Sequence, residues 1–189
     1  TEHPFYVIIE SLGSDAERNA TQFREALESA LAQELIVDAV IAQSSTQRDG
    51  LWAIREDIEG LIQGLAPLFT FDVSLPIAEM QRYTDKLEAQ LTQRWPDARL
   101  VVFGHLGDGN LHISVSTGSA ELSVRREVEA MVYQPLATLG GSISAEHGIG
   151  LEKRPWLSTC RSAAEMELMQ TLKHALDPHR LLNRGKILR

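Results

Sequence analysis

Basic residues are in the minority here: 18 Lys and Arg stand against 26 Asp and Glu in 189 residues, a formal charge of −8. A nucleic-acid partner calls for a basic patch facing phosphates, so that class is excluded. Cysteine is almost missing. The single Cys160 rules out an internal disulfide framework and fits a reducing, cytoplasmic setting. No apolar run approaches the length of a membrane span, so no transmembrane segment is expected, and no signal peptide is visible. No G-x-G-x-x-G leads from a strand into a helix, which excludes a dinucleotide site of Rossmann type. There is no low-complexity linker. The chain opens "TEHPFYVIIE", without Met, and reads as a segment of a longer polypeptide.

What remains is an ordinary globular composition, 43% hydrophobic and 23% charged. Phe5–Glu10 and Leu35–Ala42 ("LIVDAVIA") are rich in β-branched residues and read as strands. Between them Ser14–Ala32 has helical spacing, with a capping-box pattern at Ser14 and Glu17. Thr46–Gly60 is helical again. Leu68–Leu75 alternates like a half-buried strand, and Pro76 opens a helix running to about Arg94. Arg99–His105 and Asn110–Thr117 make a hairpin, followed by a helix over Ala120–Leu139, a short strand at Gly141–Ser144 and a helix over Ala163–Leu176. The pattern predicts an α+β fold: a mostly antiparallel sheet covered by helices, ferredoxin-like, with room for a duplicated unit.

The densest chemistry lies in "GHLGDGNLHISV", Gly104–Val115. Asp108-Gly109 suits a two-residue hairpin turn. With that turn His105 faces His112, Leu106 faces Leu111 and Gly107 faces Asn110, so both imidazoles share one face and can reach one ion. A plain surface hairpin is the alternative. A second stretch, "SISAEHGIGLEKR", adds Glu146 and His147 beside a glycine-flanked turn. His105, His112 and Glu146 make a His₂Glu set suited to Zn²⁺ or another divalent metal. Neighbours in an extended segment point opposite ways, so one of Glu146 and His147 is freer to act as a base. Arg55, in "LWAIREDIEG", forms either a surface ion pair with Glu59 or a clamp on a carboxylate. Trp52, Trp95 and Trp156 read as packing aromatics and Cys160 as an unreactive thiol; Lys153 and Arg154 read as solvated charges, with reach to a carboxylate as the alternative.

Together "PFYVIIE", "LWAIRED", "FDVSLP", "GHLGDGNLHISV", "SAEHGIGLEKR" and "LDPHRLLNRGKIL" resemble, in this order, the C-terminal domain of FAD-linked oxidases and dehydrogenases of D-2-hydroxy acids. That family includes D-lactate dehydrogenase, the glycolate oxidase flavin subunit and D-2-hydroxyglutarate dehydrogenase. The resemblance covers essentially all of residues 1–189. It implies a cap domain whose N-terminal FAD-binding partner domain is missing here, so that this fragment alone is expected to be inactive. It implies that His105, His112 and Glu146 hold the metal, His147 acts as general base, and Arg55 binds a substrate carboxylate. Asn110, Asn183 and Lys186 would face the flavin or dock its domain, which Lys153 and Arg154 could also reach.

The chain departs from the hydroxyglutarate branch at three points. Glu59 stands in place of a threonine, Thr70 in place of a lysine and Ser114 in place of an asparagine. Losing a cation and gaining a carboxylate disfavours a dicarboxylate, so the expected substrate is a 2-hydroxy acid with a small neutral or cationic side group. The tail also reads "NRGK" where a proline commonly follows Asn183. An exposed apolar face left by the missing domain could pair two copies in a homodimer. Two other classes fit the same residues: a stand-alone non-enzymatic metal- or ligand-binding module, and a flavin-independent metallohydrolase.

Overall fold

The computed structural model describes residues 6–188, apart from the side chains of Glu59, Leu61 and Ile62. The chain divides into two compact units, Thr1–Leu61 and Ile62–Arg189. In the first, α1 covers Ala16–Ala32 and α2 covers Ser45–Glu56; α3, Ile58–Leu65, spans the boundary. Asp15, rather than Ser14, caps α1, its carboxylate accepting the Arg18 amide at 3.0 Å. A charged acceptor also complements the positive end of the helix. Ser44 caps α2 through the Gln47 amide.

The two strands expected in this unit are not formed by residues 6–10 or 35–42, and Phe5 lies outside the described residues. Val7 is 78% exposed and Val40 is 80% exposed. β-Branched residues make a strand only where a neighbour supplies ladder hydrogen bonds and a covered face.

The second unit is built on a three-stranded antiparallel sheet. Its strands are β1 (Phe69–Ser74), β2 (Arg99–His105) and β3 (Asn110–Ser116), in the order β1-β3-β2. The helix α4, Ile77–Arg94, carries the chain from β1 to β2, leaving β3 between them as in a split β-α-β unit. Alternation sorts the side chains. Phe69, Phe71 and Val73 of β1 and Leu111, Ile113 and Val115 of β3 are buried in one core. Onto it pack Met80, Tyr83, Leu87 and Leu91 of α4, and Val128, Val132 and Tyr133 of α5, Leu122–Tyr133. The Tyr83 hydroxyl donates to the Val132 carbonyl at 2.9 Å, tying α4 to α5. The expected helix over 120–139 is shorter because Pro135 lacks an amide donor, and Gln134–Ala137 tightens into a 3₁₀ turn.

The opposite face is polar. Thr70, Asp72 and Ser74 stand in register with Ser114, His112 and Asn110, and the last two face Phe103 and His105 on β2. Outside the sheet, Ser74 makes a bridge to Ser142. The final helix, α6, spans Ala163–Leu176 with a full capping box between Ser162 and Glu165. Asp177 then accepts the amides of Leu181 and Leu182 and the Lys173 ammonium, folding the tail back. No helix among the described residues is long and apolar enough to cross a membrane.

Two stability measurements follow. Leu87 is 1% exposed at the α4 contact, so Leu87→Ala should cost about 2–5 kcal/mol in urea unfolding. Asp177 is held at about 2 by the hydrogen bond from Lys173, against its burial and with help from the Leu181 and Leu182 amides. Its folded value is depressed, so its stabilisation is complete above the ordinary carboxyl value and is lost as pH falls toward 2. The stability gap between the wild type and Asp177→Asn should therefore close over that window.

Candidate metal centre

The hairpin places the histidines on one face, with a register two residues away from the simplest expectation. His105 faces Asn110, and His112 faces Phe103. A type I′ turn needs two residues with positive φ, yet only Gly109 adopts one here, at 66°. Leu106–Asp108 form a 3₁₀ turn instead, lengthening the loop. Gly109 is required for a second reason: a Cβ there would lie 2.5 Å from the Leu75 carbonyl oxygen. Because the shift is an even number of residues, His105 and His112 keep their common face, diagonally placed with ring centroids 5.8 Å apart.

The segment 144–147 closes over this face, held by one carboxylate. Asp72 Oδ2 accepts the amides of Ala145, Glu146 and His147 at 3.1, 2.9 and 2.9 Å, and the Ser144 hydroxyl at 3.3 Å. Three consecutive amides aimed at one oxygen curl the backbone. Glu146 and His147 therefore turn toward the same point despite being neighbours. Glu146 Oε2 lies 3.7 Å from His112 Nε2, and Glu146 Oε1 lies 3.9 Å from His105 Nε2. The His147 ring stacks on His112 at 5.7 Å. One ligand atom each from Asp72, His112, Glu146 and His147 falls within 4.8 Å of the others. His105 joins this set from its edge, through Glu146.

Asp72 is fully buried, and its Oδ1 has no hydrogen-bond partner. Burial pushes its carboxyl upward, but the amides of His147 and Glu146 and the Lys153 ammonium outweigh it and hold the group at about 2. Lys153 takes the alternative expected of it, reaching a carboxylate, and the reading as a solvated charge is corrected. It is 7% exposed rather than solvated, and its ammonium donates to the Asp72 carbonyl at 2.9 Å and to Ser144 Oγ at 3.1 Å. Burial lowers its pKa while Asp72 raises it, with a net downward shift. Arg154 is likewise half-buried, donating to the Gly185 carbonyl of the tail. Sequence reasoning assigned Asp72 no part; a lone acid in the apolar run "FDV" was the signal available.

The remaining expected site residues are scattered. Asn110 is 1% exposed on the histidine face, and both its amide oxygen and nitrogen lack partners. Asn183 and Lys186 are exposed on the tail, which the Lys186 amide closes onto the Asn183 carbonyl. Arg55 is exposed on the last turn of α2, in the first unit; the side chain of Glu59 lies outside the described residues. Trp156 packs against Tyr133 and donates to Glu129, as a packing aromatic should. Burial raises the Cys160 thiol, which makes a poor nucleophile. The groove between α4 and α5 shares no residue with the histidine cluster.

The donor set fits a divalent metal. Imidazole and carboxylate are the ligands zinc takes in catalytic sites, and ligand atoms of these types from four residues lie within 4.8 Å of one another here. Comparison with known proteins agrees with the family. Residues 1–187 match the family of FAD linked oxidases, C-terminal domain, and the chain belongs to it. The chain is 41% identical over 190 residues to a D-2-hydroxyglutarate dehydrogenase of Xanthomonas citri pv. viticola, covering 98% of this chain and 40% of that protein. A Schizosaccharomyces pombe protein provisionally named a mitochondrial D-lactate dehydrogenase is 36% identical over 190 residues, covering 96% of this chain and 36% of its own length. The mitochondrial D-2-hydroxyglutarate dehydrogenase of Rattus norvegicus is 37% identical over 188 residues, covering 99% and 35%. The chain thus spans well under half the length of these curated relatives.

Removing the cation behind Asp72 should be costly. Lys153→Met leaves a buried carboxylate without its ammonium, and denaturant unfolding should show a loss of about 3 kcal/mol.

Proposed function

We propose that this chain is the substrate- and metal-binding part of an FAD-dependent dehydrogenase that oxidises a D-2-hydroxy acid to the 2-oxo acid. The observation that carries the reading is the convergence of His112, Glu146 and His147 on one polar face, with His105 at its edge. His105, His112 and Glu146 hold a divalent metal, zinc by the character of the donors. When bound, the metal supplies Lewis acidity toward the substrate hydroxyl, and the flavin supplies the hydride acceptor. His147 takes the hydroxyl proton at an imidazole nitrogen, as a general base beside the ligands. Arg55 pairs with a substrate carboxylate through its planar fork. FAD is held mainly by an N-terminal domain, with Asn110, Asn183 and Lys186 on its side of the site. Of these Asn110 fits best, because a buried amide with both polar atoms unpaired costs about 1–3 kcal/mol until a ligand meets it.

The substrate we favour is a 2-hydroxy acid with a small neutral or cationic side group. Thr70 and Ser114 are direct cross-strand partners, one step along the polar face from the Asp72–His112 pair. A lysine and an asparagine there could grip a second carboxylate; a hydroxyl pair grips it weakly. A charge-assisted hydrogen bond is worth about 1.5–3 kcal/mol, so its absence should cost roughly tenfold or more.

Two measurements on the intact protein test this reading. After exposure to Zn²⁺ and dialysis, the wild type should retain near-stoichiometric metal, while His112→Ala and Glu146→Ala should lose it. His147→Ala should keep the metal and lower kcat by roughly 10²–10⁴. Metal retained by all variants would place the ion elsewhere. In kcat/KM, D-lactate should exceed D-2-hydroxyglutarate by about tenfold or more, and Thr70→Lys with Ser114→Asn should narrow the gap. A clear preference of the wild type for hydroxyglutarate would overturn the substrate assignment.

A further inference from the structure

Asp72 combines features that its role as a loop anchor does not explain. It is fully buried in a strand between Phe71 and Val73, where an acid is expensive. Its two oxygens are used unequally. Oδ2 is saturated by three backbone amides, the Ser144 hydroxyl and, at 3.4 Å, the Lys153 ammonium. Oδ1 has no hydrogen-bond partner and lies 3.9 Å from His112 Nδ1. A carboxylate needed only to curl the segment 144–147 has no use for a second oxygen aimed at an imidazole.

His112 supplies the complementary half. Its Nδ1 faces Asp72, and its Nε2 faces Glu146 Oε2 at 3.7 Å. A neutral imidazole carries one proton, and the nitrogen that lacks it is the ligand. An anionic oxygen 3.9 Å from Nδ1 favours the proton there and leaves a bare Nε2 toward Glu146. The two carboxylates thus face opposite nitrogens of one ring, so a metal held through Nε2 would be held by Glu146 rather than by Asp72.

We propose that Asp72 is the positioning residue of the centre. Its Oδ1, 3.9 Å from His112 Nδ1 and short of a hydrogen bond there, favours the Nδ1–H tautomer electrostatically, while its Oδ2 sets the direction of Glu146 and His147. One buried anion thereby orients groups arriving from β3 and from the 144–147 segment, and Lys153 offsets its charge from behind. The inference rests on the reading of His112 and Glu146 as metal ligands, and its test has a part that needs no metal.

The test is nitrogen-15 NMR of the intact, metal-free protein carrying labelled histidine, with the His112 signal assigned by its loss in His112→Gln. The wild type should show His112 as the Nδ1–H tautomer. Asp72→Asn keeps an oxygen for the three amides and turns an NH₂ toward Nδ1, so His112 should switch to the Nε2–H form. Zn²⁺ affinity should then fall by roughly 10–100-fold with an unchanged circular dichroism spectrum. An Nε2–H tautomer in the wild type, or an unaltered affinity in Asp72→Asn, would overturn the proposal. If Asp72→Asn fails to fold, the wild-type tautomer alone decides. If the wild type binds no Zn²⁺, the ligand reading fails, while the tautomer still upholds or overturns the part given to Asp72.

Discussion

The structure of the polar face depends on one buried carboxylate. Asp72 gathers the amides of Ala145, Glu146 and His147 onto a single oxygen and so curls this segment over the sheet, with Ser144 adding a bond to the Gly148 carbonyl. The cost of burying an anion is offset by those amides and by Lys153, whose own burial pulls its pKa down. The pair is therefore expensive to keep, which fits a specific arrangement at a site better than general stability.

Around that anchor the sheet sorts its work by alternation. Phe71 and Val73 enter the core while Asp72 between them turns to the other face, and on β3 Leu111 and Ile113 enter the core while His112 between them joins Asp72. The apolar face of the sheet shares its core with α4 and α5. A metal or substrate meeting His112, Glu146 and His147 thus meets groups whose backbones are fixed by strand pairing or by Asp72, with the smallest reorganisation left to make.

Much of this was legible in the sequence, for local reasons. The alternation in "FTFDVSL", the helix opened by Pro76 and the last helix over Ala163–Leu176 are set by near neighbours in the chain. The common face of His105 and His112 was legible because sheet faces depend only on parity. The exact register was not, since it turned on whether Asp108 would take a positive φ, and the loop closed instead through Gly109 against Leu75. The segments 6–10 and 35–42 carry strand residues without a strand, because pairing depends on a partner that local sequence does not supply. The pairing of Asp72 with Lys153 was missed for a related reason: they are 81 positions apart, and their meaning lies in each other.

On the proposed reading a metal ion would be held from the Nε2 side of His112, with Glu146 beside it and Asp72 behind the ring. Anomalous diffraction at the zinc edge from crystals of the metal-loaded intact protein tests it most directly. One ion bonded to His112 Nε2 at about 2.0–2.1 Å is expected, with Glu146 and His105 completing the protein ligands and Asp72 on the Nδ1 side of the ring. An ion bonded to Asp72 Oδ1 and His112 Nδ1, or one placed away from this face, would contradict it.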